Sequence, residues 1–141
     1  MPFAFNTDLW NYGRKIEDKV LPIANELFGC NFKRNENDIY DILDFKDDEQ
    51  KKVVEVKGRK IPSTQYTDTI ITASKITEGY HYIERGYKVF FIFVFTDKMF
   101  RYELLEDTSF DCRYTGTNCI KHYMIPVANL TEILEDEDPH N

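Results

Sequence analysis

Hydrophobic residues recur along this chain with two different periods. Between Arg14 and Phe28 they fall at Ile16, Val20, Ile23 or Ala24, and Leu27, the spacing of one buried helical face. Gly29 follows as a C-cap, and Pro22 inside the run is a potential kink. Asp38–Phe45 and Lys52–Arg59 alternate like strands, with the polar "KDDEQ" turn between them and Pro62 ending the second. Thr69–Arg85 returns to helical spacing through Ile70, Ala73, Ile76, Tyr80 and Ile83, and Gly86 closes it. Tyr87–Phe95 has no polar face, as expected of a central strand covered on both sides. Met99–Leu105 and Cys119–Ile125 read as further strands, and Val127–Leu134 as a short last helix. This order predicts an α/β fold, a mixed sheet flanked by helices.

Length and composition sharpen that picture. The 141 residues suit one domain, and 42% are hydrophobic, 21 of them aromatic (11 Phe, 9 Tyr, 1 Trp), enough for a substantial core. We assign residues 1–134 to a single domain and 135–141, "EDEDPHN", to an acidic, flexible tail. No run approaches the roughly 18 apolar residues of a membrane helix, so no membrane association is expected. The opening "MPFAFNTDLW" lacks the basic and apolar regions of a leader. Cys30, Cys112 and Cys119 make no disulfide framework, which points to a reducing, intracellular compartment. Cys112, Cys119 and His122 have no fourth partner at finger spacing, which weighs against zinc.

Net charge is −7, which argues against a protein that merely coats nucleic acid. The basic residues are unevenly placed, with Lys57, Arg59 and Lys60 clustered at the end of one strand. No Gly-rich phosphate loop supports nucleotide binding, and His81, His122 and His140 have no triad-like setting.

The chemistry concentrates in "ILDF" and "VVEVKGR". Strand side chains alternate faces, so Val54 and Val56 share one face, and Glu55 and Lys57 the other. With Leu43 and Phe45 on the apolar face, Asp44 joins Glu55 and Lys57. Two carboxylates and an ammonium then converge, a set able to hold Mg²⁺ by oxygen ligands and to stabilise charge on a phosphoryl group. A solvated strand with cross-strand ion pairs has the same spacing.

The hairpin, its E-x-K, the acid-bearing helix before it and the helix after it resemble the PD-(D/E)XK nuclease superfamily. The residues that carry this are Gly13 and Glu17 in "YGRKIEDKV", Asp44 in "DILDF", and Glu55 and Lys57 in "VEVKGRK". The stretch "YTDTIITASK" and the following "VFFIFVFTDKMFRYEL" look most like small stand-alone members from phages and large DNA viruses. The motif's proline is absent, since Leu43 precedes Asp44.

The resemblance implies an αβββαβ restriction-endonuclease-like core and an Mg²⁺- or Mn²⁺-dependent enzyme hydrolysing DNA phosphodiesters in viral DNA processing, repair or recombination. It implies Asp44 and Glu55 as metal ligands, Glu17 as an auxiliary ligand and Lys57 as a catalytic group, with Asp41 as the alternative first acid. Lys75, Arg59, Lys60, Tyr66 and Thr72 become candidate nucleic-acid contacts. Junction-cutting members pair as dimers, so a homodimer is one expected state. A catalytically silent module of this fold, binding DNA or a protein partner, is one alternative; an RNA-cleaving nuclease is another.

Overall fold

The computed structural model describes residues 7–34 and 43–134. Helix α1 (Thr7–Phe28) leads to β1 (Lys33–Arg34), β2 (Phe45–Asp47) and β3 (Lys52–Gly58). Then come β4 (Asp68–Thr72), α2 (Ala73–Glu84), β5 (Lys88–Val94), β6 (Met99–Leu104), β7 (Asp111–Thr115) and β8 (Ile120–Pro126). A 3₁₀ turn at Val127–Asn129 and β9 (Thr131–Glu132) complete it. None of the helices is long and apolar enough to cross a membrane among the described residues.

The strands form two sheets. One has six strands in the order β1-β2-β3-β5-β6-β9, with β5 parallel to β3 and antiparallel to β6. The other has three, in the order β4-β8-β7. The chain between β3 and β5 supplies β4 and α2, so the parallel crossover carries both the covering helix and the first strand of the second sheet.

Strand alternation divides the core of the larger sheet into two. Val54, Val56, Phe90, Ile92 and Val94 pack with Val20 and Ala24 of α1. Val53, Val89, Phe91 and Phe93 face the other way, onto Ile76 and Tyr82 of α2 and Ile71 and Ile125 of the second sheet. Helix α1 sits close to β3: a Cβ on Gly58 would lie 3.0 Å from Tyr12 and 3.3 Å from Ile16.

Both helices end as the pattern predicts. Gly29 (φ 62°) lets the Cys30 N–H reach the Asn25 carbonyl at 3.0 Å. Gly86 (φ 90°) lets the Tyr87 N–H reach that of Tyr82 at 3.0 Å, while the two tyrosine rings meet edge to face. These are Schellman closures, which need a residue able to adopt positive φ.

Four expectations change. Helix α1 continues through Pro22 and starts at Thr7; its fully buried positions are Val20 and Ala24, while Leu27 is exposed. Thr69–Thr72 is strand, not helix: the β-branched run "DTIIT" pairs with β8. Val127–Leu134 is a turn and an edge strand, because pairing of Thr131 and Glu132 with Arg101 and Phe100 replaces helical bonding. Leu43 and Phe45 do not share a face. Residues 43 and 44 precede β2 in a bend, so Leu43 packs on the α2 side and Phe45 on the α1 side. Asp38 and the rest of the predicted strand before Leu43 lie outside the described residues.

Candidate active site

The β2–β3 hairpin is held by its turn. The Asp47 carboxylate accepts from the N–H groups of Asn31 (2.8 Å), Glu49 and Gln50 (both 3.0 Å), which holds its pKa below the usual carboxylate range. Phe45 pairs with Val54, so the residue before Phe45 comes to the side of Glu55 and Val56. The Asp44 Oδ2 accepts from the Val56 N–H at 2.8 Å, a carboxylate standing in for a ladder carbonyl at the point where β2 begins.

Glu55 lies on the α2 face of β3 and is 1% exposed. A buried charge persists only with partners. Two ammonium groups supply them: Lys57 Nζ at 3.2 Å and Lys75 Nζ at 3.0 Å, both on Oε2. Lys75 comes from the first turn of α2, so the crossover helix reaches back to the strand it follows. Glu55 Oε1 is buried with no hydrogen-bond partner among the described residues.

Asp44 and Glu55 lie within hydrogen-bonding reach of one another. Burial first, then the neighbouring Glu55 charge and that hydrogen bond, push the Asp44 pKa up to about 8; the Val56 N–H and Lys75 oppose the rise. At neutral pH the Asp44 carboxyl therefore keeps its proton. Glu17 approaches from α1. It accepts from Arg34 Nη1 at 2.7 Å, and its pKa is raised by burial and by the Asp44 charge against the pull of Arg34. Arg34 also pairs with Asp18.

The other predicted residues divide. Arg59 is turned inward, its Nη2 donating to the Ile70 carbonyl at 2.5 Å, where it ties β3 to β4. Lys60 is exposed, its ammonium 4.4 Å from the centre of the Tyr12 ring. Thr72 stands at the β4–α2 junction and accepts from the Ser74 hydroxyl at 3.3 Å. Tyr66 is exposed on the loop before β4. Asp41 lies outside the described residues. Cys30, Cys112 and Cys119 are free thiols.

Sequence reasoning missed Arg34 as the partner of Glu17, and Arg113, which stands beside His122 across the β7–β8 ladder. The basic residue following the "FK" of "CNFKR" was a visible signal for the first; nothing in "DCRYT" marks the second.

A two-faced mixed sheet with α1 on one side and α2 on the other is a restriction-endonuclease-like fold. The chain is similar in fold to Hjc, a Holliday junction resolvase from the archaeal hyperthermophile Archaeoglobus fulgidus, with a TM-score of 0.54 and 16% identity over 86% of this chain and 92% of that one. No protein-family model and no curated protein matches the sequence.

Proposed function

We propose that the protein is a divalent-metal-dependent nuclease that hydrolyses DNA phosphodiester bonds, with branched recombination or repair intermediates among its substrates. The observation that carries this reading is the convergence of Asp44, Lys57 and Lys75 on the buried Glu55 carboxylate. A merely structural ion pair needs neither a second carboxyl nor a bare oxygen.

The donor set fits a hard cation. Asp44 and Glu55 offer oxygens only, and Oε1 of Glu55 is an acceptor left bare in a buried position, which is costly. No three Asp, Glu, His or Cys side chains cluster tightly enough to form a complete cage among the described residues. Asp44 and Glu55 would thus be the direct ligands of Mg²⁺ or Mn²⁺, and Glu17 would act through water, with Arg34 fixing its orientation. The cation, when bound, polarises a phosphoryl oxygen and lowers the pKa of a water it holds.

The chain's own groups do the rest. Lys57 orients the attacking water and stabilises the negative charge that grows on the phosphoryl oxygens. Lys75 holds Glu55 Oε2 in place, and the two ammonium groups together offset the repulsion between the carboxylates. The test is cleavage of branched, nicked, linear and single-stranded DNA with Mg²⁺ or Mn²⁺ by the parent and by Glu55→Gln and Lys57→Ala. We expect both variants to lose cleavage by at least about a hundredfold. A variant that cuts at the parent's rate overturns the reading.

A further inference from the structure

The three-stranded sheet has two unlike faces. Ile71 and Ile125 turn into the core, with Tyr123 packed against it. On the opposite face Thr72 stands across from His122, and His122 across from Arg113, so the three form one row over β4, β8 and β7. That row lines a cleft of about 640 Å³ that Lys57 and Tyr66 also line. Lys57 is also the lysine on Glu55. The cleft therefore borders the carboxylate site at Lys57.

Its chemistry is unusual for this chain. Three cations, Lys57, Arg59 and Arg113, meet a single carboxylate, Asp68, in a protein of net charge −7. Arg59 donates to the Ile70 carbonyl through Nη2 and lends its charge to the cleft. Arg113 is exposed and forms no ion pair among the described residues. His122 Nδ1 lies 3.0 Å from both the Thr115 hydroxyl and the Ile120 carbonyl, so Nδ1 is occupied within the sheet and Nε2 is left to a ligand. Tyr66 is 63% exposed, a large aromatic ring held at the surface. Cations that fit phosphate beside an aromatic that fits a base, in a space of small-ligand size, match a nucleotide out of the duplex; a paired helix is too wide to enter.

We infer that this cleft receives unpaired nucleotides of the DNA strand next to the phosphate at the carboxylate site, with Tyr66 stacking on a base and Arg113 and His122 contacting the backbone. The inference rests on the nuclease reading for what happens at Glu55, but the cleft is tested without cleavage. Binding of a short fluorescein-labelled oligothymidylate, and of a blunt duplex of equal length, is followed by anisotropy in EDTA. Tyr66→Ala weakens oligothymidylate binding about tenfold. Arg113→Ala weakens it severalfold and lowers the salt slope by about 0.7, and Arg113→Lys restores most of that. Duplex binding moves less than twofold in each. Tyr114→Ala is the control: Tyr114 neighbours Arg113 on β7, points to the opposite face and is 64% exposed. It binds like the parent.

Failure of the parent to bind oligothymidylate, unchanged binding by Tyr66→Ala and Arg113→Ala, or an equal loss on duplex each overturns the cleft. A protein that cuts no DNA yet shows Tyr66-dependent binding supports the cleft and sinks only the nuclease reading. One that cuts while both variants bind unpaired DNA like the parent sinks only the cleft.

Discussion

The two sheets are built on opposite terms. In the larger one, β5 buries every residue from Val89 to Val94, and its faces are closed by α1 and α2. In the smaller one, β7 is exposed from Asp111 to Tyr114, and only β4 and β8 send side chains into the core. Rigidity and access are thereby separated. Glu55 is held to two lysines on a strand packed from both sides; the row of Thr72, His122 and Arg113 can meet a ligand because it lines an open cleft.

Glu55→Gln carries the largest expected effect: cleavage falls by at least about a hundredfold while the melting temperature stays near the parent's, because the amide keeps the shape of the side chain. Phe93→Ala, which opens a hole in the core on the α2 side of β5, lowers the unfolding free energy by about 3–5 kcal/mol, read by chemical denaturation. Lys75→Ala lowers cleavage by about tenfold and stability by ~1–3 kcal/mol, since Glu55 keeps Lys57 but loses its other partner. Tyr114→Ala on the open sheet changes stability by less than about 0.5 kcal/mol. Equal losses for Phe93→Ala and Tyr114→Ala would erase the contrast between the sheets.

The pH dependence sharpens the same contrast. Asp44 titrates near its ordinary value of 3.8 when unfolded and at about 8 when folded. Between those values the folded, metal-free protein binds more protons than the unfolded chain. This group's contribution is therefore full below pH ~4 and is lost as pH rises to about 8. A cation must displace the Asp44 proton, so Mn²⁺ affinity rises up to about tenfold per pH unit below 8 and levels off above it. Asp44→Asn flattens both curves. Calorimetric titration of Mn²⁺ across that range, alongside melting curves in EDTA, checks the pair.

Much of this was legible from local pattern. "VVEVKGR" put Glu55 and Lys57 on one face, and the unbroken apolar run of "VFFIFVF" marked the central strand. The proximity of Asp44 to Glu55 was also expected, but the assumed route was different: Leu43 was assigned the face of Phe45, and a bend before β2 moves it to the other side. The pairings that local pattern could not show depend on contacts far apart in sequence. Lys75 meets Glu55 only because α2 folds back over β3. The "DTIIT" run has helical as well as strand spacing, and its pairing with β8, more than 50 residues on, decides between them. An exposed strand such as β7 has no hydrophobic period to read.

The most direct test is diffraction from crystals soaked in Mn²⁺, with the ion located by its anomalous signal. The account predicts one ion between the Asp44 and Glu55 carboxylates, with the Glu55 Oε1 oxygen among its ligands. A soaked crystal with no ion there, or with Mn²⁺ held elsewhere on the molecule, contradicts it.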